Sequence, residues 1–129
     1  MDSKLQAGLE KAGLAHARKH LFICLGPDCC HRREGERLWD YVKKRVKETG
    51  LQVMRTKADC FRICTDGPWL VVYPEGTWYS KVTPMRFERI LQEHLLQGNP
   101  VQDWVVARNN LQPGPQPGPV CESGCEDGT

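Results

Sequence analysis

The sequence lacks several features that define common classes of protein. Its longest purely apolar runs, residues 21–25 and 69–73, are far shorter than the ~20 residues of a membrane-spanning helix. It contains no Gly-x-Gly-x-x-Gly motif and no Walker-type loop, which argues against a nucleotide or flavin site. No base lies beside an activated nucleophile in any familiar motif. We therefore expect no membrane insertion and no enzymatic activity of the chain by itself.

An excess of charge of one sign is also missing. The 129 residues include 18 Lys and Arg against 16 Asp and Glu, which gives a net charge of +2. Basic residues alternate with acidic ones, as in residues 40–48 (DYVKKRVKE), whereas a nucleic-acid-binding domain usually carries a basic stripe. We therefore expect no nucleic acid partner. The first residues (MDSKLQAG) contain no apolar export signal, so we expect a cytoplasmic protein.

Cysteine is abundant, with seven residues. In a reducing compartment this number indicates metal or redox chemistry rather than a disulfide framework. No Cys-x-x-Cys motif occurs, which excludes a thioredoxin-type dithiol and the usual zinc knuckle. Four cysteines instead form two pairs: four residues separate Cys24 from Cys29, and three separate Cys60 from Cys64.

Hydrophobic periodicity predicts one small α/β domain. Apolar runs and alternation predict four strands, near residues 20–24, 51–55, 69–73 and 78–82. Apolar residues three and four apart predict helices over residues 34–49 and 83–97, the second with Thr83 as its cap and Pro84 at its first position. This order is typical of a small sheet covered by two helices. Residues 101–107 are compatible with a short strand or an extended arm.

The chain divides into three parts on these patterns. Residues 1–19 form an N-terminal arm with weak helical spacing, and residues 20–108 form the folded domain. In residues 109–129, prolines alternate with Gly and Gln, a composition that buries too little apolar surface to offset the entropy of ordering. We therefore predict a flexible tail, in which Cys121 and Cys125 are most simply inert thiols. A contact with a partner, a disulfide formed on oxidation and transient metal binding are the alternatives.

The two cysteine pairs would serve one metal centre if the fold brings their loops together. Four thiolates can hold a 2Fe-2S cluster, in which each iron takes two protein sulfurs in tetrahedral geometry. Zinc is the alternative, since thiolates also bind it tetrahedrally without a redox role. Four inert buried thiols are the third interpretation, because free cysteine is often buried.

The segments around these pairs resemble those of the thioredoxin-like 2Fe-2S ferredoxins, a family related to the small iron–sulfur subunit of respiratory NADH dehydrogenase. The resemblance is carried by residues 24–29 (CLGPDC), 59–68 (DCFRICTDGP) and 71–79 (VVYPEGTWY), and it extends over about residues 20–107. It implies a thioredoxin-like α/β fold, with a small four-stranded mixed sheet and two main helices. It also implies a one-electron carrier with one 2Fe-2S cluster near its surface and other redox proteins as partners.

The resemblance implies that the cluster ligands are Cys24, Cys29, Cys60 and Cys64. Cys30 is the alternative second ligand, because it adjoins Cys29 and other ferredoxins of this type place that ligand farther along a longer loop. The short four-residue gap favours Cys29. Some members of the family are homodimers, so a homodimer is a further expectation. Trp104, with its large apolar area, is the candidate subunit contact.

Two other functions stay open on the sequence alone. One is a zinc-stabilised interaction module, and the other is a protein that delivers or senses a labile iron–sulfur cluster. His31 could replace a thiolate but is more simply a solvated loop residue. The side chains of His16, His20 and His94 are interpreted as surface or helix-end groups. Pro68, just before the third strand, is a candidate cis-proline.

Overall fold

The computed structural model describes residues 2–111, which form five strands and three α-helices. The strands are β1 (Lys19–Cys24), β2 (Val53–Ala58), β3 (Leu70–Tyr73), β4 (Thr77–Tyr79) and β5 (Val105–Arg108). The α-helices are α1 (Ser3–Ala12), α2 (Arg32–Thr49) and α3 (Pro84–Ile90). A π-helical turn over Leu91–Leu95 continues α3, and a 3₁₀ turn over Gln102–Trp104 precedes β5.

The strands form one mixed sheet in the order β2-β1-β3-β4-β5. β1 and β2 are parallel, and the other neighbouring pairs are antiparallel. The parallel pair requires a crossover, which α2 provides. The α/β class and the mixed sheet expected from the sequence are confirmed.

The sheet has five strands rather than the predicted four. Val105–Arg108 pairs with β4, with Thr77 opposite Arg108 and Tyr79 opposite Val105. The pairing satisfies backbone groups of β4 that would otherwise lie at an open edge. Periodicity left this segment ambiguous because only Val105 packs against the core, while the other three residues of the strand are exposed.

Local capping explains where the two long helices begin. His31 caps α2 by accepting a hydrogen bond from the Arg33 N–H, and the Glu34 carboxylate accepts one from the His31 N–H. α2 therefore starts two residues before the predicted boundary, and His31 is a cap. Thr83 accepts from the Arg86 N–H, and Pro84 is the first residue of α3, as predicted.

The main core lies between one face of the sheet and the helices α2 and α3. Alternate side chains of β1 and β3 point into it and meet apolar residues of both helices; its fully buried members include Leu21, Ile23, Leu70, Val72, Leu38, Val42, Phe87 and Ile90. Cys24 follows Ile23 and lies on the opposite face. There it forms a second, smaller buried cluster with Cys29 and Trp69.

His94 lies in the last turn of the π-helical segment, so its helix-end position is as predicted, but it is completely buried, so its interpretation as a surface residue is wrong. Tyr79 accepts a hydrogen bond from the Val101 N–H, and its hydroxyl donates to Nδ1 of His94 at 2.9 Å. Nε2 of His94 then donates to Glu75 at 2.7 Å. This arrangement fits a neutral imidazole, because an Nδ1 proton would leave the Tyr79 hydroxyl without its acceptor. The π-helical turn carries His94 inward, which sequence spacing does not reveal.

The remaining predictions about the chain concern its ends and one peptide bond. The Gly67–Pro68 bond is cis, as proposed from the sequence. α1 has no buried side chain. Among residues 2–111, no helix combines the length and apolar character needed to cross a membrane. The predicted tail from residue 112 onward, with Cys121 and Cys125, lies outside the described residues.

Candidate metal centre

The first cysteine loop (residues 25–31) connects β1 to α2. Cys24 is the last residue of β1, and the loop returns Cys29 to it, so that their Sγ atoms are 2.6 Å apart. Both side chains are buried, with 0% and 4% exposure. Arg32, at the start of α2, holds the loop by donating to the Gly26 carbonyl at 3.0 Å.

The second cysteine loop (residues 59–69) follows β2. Because β1 and β2 are parallel and Cys24 is paired with Ala58, both cysteine loops start at the same end of the sheet. The Sγ atoms of Cys60 and Cys64 lie within 4.8 Å of each other and of a carboxylate oxygen of Asp28, in the first cysteine loop. The second cysteine loop thus carries a second sulfur pair at the same end of the sheet as the first.

Gly67 brings the two cysteine loops into direct contact. Its N–H donates to the Cys29 carbonyl at 2.8 Å. A Cβ atom at Gly67 would lie 2.9 Å from Cys29 Cβ, closer than side chains normally approach. The structure therefore brings into contact the two loops that carry the four predicted cysteines.

Each sulfur pair receives a backbone hydrogen bond. The Trp69 N–H donates to Cys24 Sγ, and the Arg62 N–H donates to Cys60 Sγ, both at 3.1 Å. Such donors stabilise negative charge on a metal-bound thiolate. Sequence analysis missed these groups because a backbone donor leaves no mark in the identity of its residue.

The electrostatics of the thiols set a requirement for metal binding. Burial raises the pKa of Cys24 well above its usual value. Hydrogen bonding with Cys60 raises the pKa of Cys64, and the negative charge of Asp28 contributes in the same direction. A metal must displace these protons, so its binding is coupled to proton release.

Cys30 lies beside the site but faces the start of α2. Its Sγ is 3.7 Å from Cys29 Sγ, and it is half-buried. Burial raises the pKa of Cys30 to about 12, while a hydrogen bond with the Gly35 backbone acts in the opposite direction. The Sγ atom of Cys29, in contrast, lies only 2.6 Å from the Sγ atom of Cys24.

The two sulfur pairs differ in their access to solvent. Cys24 and Cys29 are buried, and Trp69 and Trp78 pack beside them with their ring centroids 6.2 Å apart. Cys60 is half-buried and Cys64 is exposed. The second pair therefore forms the outer side of the site.

The donor set fits a 2Fe-2S cluster. Tetrahedral coordination by soft thiolates suits iron–sulfur clusters as well as zinc, and the sulfurs of each pair are close enough to share one metal ion. Two separate pairs, each with its own N–H donor, match the two irons of such a cluster.

Comparisons with known proteins distinguish between these metals. No family model matches the chain. A 2Fe-2S ferredoxin of Aquifex aeolicus strain VF5 is 30% identical over 100 residues, which cover 70% of this chain and 90% of the relative. A 2Fe-2S ferredoxin of Clostridium pasteurianum is 30% identical over 101 residues, which cover 69% and 96%.

The fold, like the sequence, is similar to that of a 2Fe-2S ferredoxin. The solved structure of a thioredoxin-like 2Fe-2S ferredoxin from Aquifex aeolicus matches this one with a TM-score of 0.64 and 27% identity, over 71% of this chain and 93% of the other. The relatives are ferredoxins, so a zinc-stabilised interaction module is not favoured. The chain belongs to the thioredoxin-like 2Fe-2S ferredoxin family.

Proposed function

We propose that this electron carrier holds its 2Fe-2S cluster through Cys24, Cys29, Cys60 and Cys64. The observation that carries this ligand set is the contact between the two cysteine loops, in which Gly67 lies against Cys29. This contact supports a site in which one sulfur pair lies opposite the other. Distances within the pairs support Cys24 with Cys29 on one iron and Cys60 with Cys64 on the other.

Cys29 is proposed as the second ligand in preference to Cys30. Cys29 is nearly fully buried beside the Cys24 sulfur, and its carbonyl is held by the second cysteine loop. Cys30 is only half-buried, and its Sγ lies 3.7 Å from that of Cys29, farther than the 2.6 Å between the sulfurs of Cys24 and Cys29. Cys30 is therefore proposed to lie beside the site without binding iron.

The protein's own residues hold, shield and expose the site. When bound, a 2Fe-2S cluster accepts one electron from a reduced protein and passes it to an oxidised one. Trp69 and Trp78 exclude water from the buried sulfur pair. Exposed Cys64 marks the side on which a redox partner would dock, through a transient contact of small area.

A second copy of the chain stays a predicted partner. Trp104, the predicted subunit contact, packs partly against the core, and the guanidinium groups of Arg86 and Arg89 each lie 4.7 Å from the centroid of its ring. The cytoplasmic location expected from the sequence likewise stays a prediction.

Anaerobic purification followed by iron and sulfide assay, visible absorption and low-temperature EPR after dithionite reduction tests the proposal. We expect two irons and two sulfides per chain and a rhombic EPR signal. Cys24→Ser, Cys29→Ser, Cys60→Ser and Cys64→Ser should each lose the native cluster, and Cys30→Ser, the matched control, should retain it. Loss of the cluster in Cys30→Ser but not in Cys29→Ser would assign the second ligand to Cys30.

Two results would change the assigned role. A colourless protein that contains stoichiometric zinc and fails reconstitution with iron and sulfide would indicate the interaction module. Rapid transfer of the cluster to an apo-acceptor, with poor survival through redox cycles, would indicate cluster delivery. We expect no zinc protein, because the relatives are 2Fe-2S ferredoxins, and no rapid transfer, because Trp69 and Trp78 shield the buried sulfur pair.

A further inference from the structure

Asp28 places a carboxylate beside the outer sulfur pair. It immediately precedes Cys29 in the first cysteine loop, yet its carboxylate lies within 4.8 Å of the sulfurs of Cys60 and Cys64, which belong to the second cysteine loop. Its side chain is exposed. Asp28 therefore puts a formal negative charge next to the two thiolates proposed to bind the outer iron.

The two acidic residues of the second cysteine loop, in contrast, have basic partners. Asp59 pairs with Arg32 at 3.5 Å, and Asp66 pairs with Lys81 at 3.8 Å. Asp28 makes no ion pair with any residue in the range 2–111. Its charge is thus screened by solvent and salt but not by a neighbouring cation.

We propose that Asp28 is a potential-setting residue, which lowers the reduction potential of the 2Fe-2S cluster by placing its carboxylate beside Cys60 and Cys64. This inference rests on the proposed ligand set. One-electron reduction adds a negative charge to the site, and a nearby carboxylate makes that step less favourable. Asp28 acts through space and forms no bond to iron, because four cysteine sulfurs complete the protein ligand set.

The expected size follows from Coulomb's law at a solvent-exposed site. One unit charge a few ångströms from the thiolates, in an environment close to that of water, changes the equilibrium constant for reduction by about threefold to tenfold. For one electron this corresponds to about 28–59 mV. The effect should decrease as salt is added, because exposed charges are screened.

Redox titration of the holo protein, monitored by visible absorption and EPR, tests the inference with three variants. Asp28→Asn should raise the midpoint potential by this amount, with unchanged iron content and EPR g-values. Asp28→Glu keeps the negative charge, so its midpoint potential should stay near that of the wild type. Glu48→Gln makes the same change in net charge at the far end of α2, and should leave the potential unchanged. The difference between Asp28→Asn and wild type should narrow at high salt.

Several outcomes would overturn the inference. An unchanged potential in Asp28→Asn would show that its charge does not act on the cluster. An equal rise in Glu48→Gln would assign the effect to net charge. Altered g-values or loss of the cluster in Asp28→Asn would make Asp28 a ligand or a structural residue. Absence of a cluster from the wild type itself would instead contradict the proposed function, which the iron and sulfide assay distinguishes.

Discussion

Gly67 touches Cys29 through backbone atoms alone: its N–H binds the Cys29 carbonyl at 2.8 Å, with no room for a side chain between them. This contact joins two loops that are far apart in sequence. The distance between the sulfur pairs therefore depends on the absence of a Cβ atom at residue 67.

Gly67→Ala should impair assembly of the metal site. The added Cβ would approach the Cys29 carbonyl oxygen to 2.8 Å, so one loop must move, at a cost of about 1–3 kcal/mol. We expect a large fall in iron and sulfide per chain. Gly8→Ala in α1 is the control, because nothing lies within 4 Å of its added Cβ. Full cluster content in Gly67→Ala would contradict the structural role of this contact.

Two positions on α3 test the main core. Ile90 is completely buried and Met85 is 82% exposed. Ile90→Ala should lower the free energy of unfolding by about 2–5 kcal/mol, because it leaves a cavity against the sheet. Met85→Ala should change it by less than about 0.5 kcal/mol. Urea unfolding at matched cluster content measures both, and equal effects would contradict the packing of α3.

The buried His94 should make stability depend on pH. Burial lowers the pKa of His94 below its usual value, so the unfolded chain binds a proton more readily than the folded one. Stability should therefore decrease as pH falls below about 6.5. The groups that face His94 are Tyr79 and Glu75, with the positive charges of Lys19 and Arg108 nearby.

Comparison of wild type with His94→Gln isolates this contribution. The variant carries no titrating group at position 94, so its free energy of unfolding should vary less between pH 7.5 and 5.5. Glu75 acts at lower pH: burial alone would raise the pKa of Glu75, but hydrogen bonds from Lys19 and His94 lower it. Its stabilising contribution is complete above the unfolded carboxyl pKa of 4.5 and is lost as pH falls from there through the lowered pKa of the folded state. If the free energy of unfolding varies equally with pH in the two proteins above pH 5.5, the role of His94 is contradicted.

The homodimer can be tested at Trp104. If the predicted contact forms, the wild type should sediment as a dimer and Trp104→Ala as a monomer, because truncation removes a large, partly exposed aromatic surface. Leu5→Ala, at an exposed position of α1, is the control and should leave the mass unchanged. If the wild type and Trp104→Ala sediment with the same mass, the predicted contact at Trp104 is contradicted.

Much of the fold could be predicted because its long elements carry local signals. The apolar spacing of Leu38 and Val42 marks α2, and Thr83 with Pro84 marks the start of α3. β5 could not be assigned, because an edge strand with one half-buried residue and three exposed ones has almost no hydrophobic period.

At the metal site, too, the sequence predicted some features and not others. Spacing selected the four cysteines, and the parallel pairing of β1 with β2 explains why their loops meet. Asp28 was missed because nothing in its neighbourhood along the chain indicates that its carboxylate reaches the sulfurs of another loop. The burial of His94 was not predicted, because it depends on contacts with Tyr79 and Glu75, which are distant in sequence.

Within residues 2–111, the unequal burial of the two sulfur pairs leaves one side of the proposed cluster site open to solvent. Cys24 and Cys29 are enclosed, and Cys64 is open to solvent. An electron donor and an electron acceptor would therefore compete for the same patch of surface. Such a protein would have to release its electron donor before it could bind the acceptor. The dissociation rates of these complexes would therefore limit the rate of electron transfer.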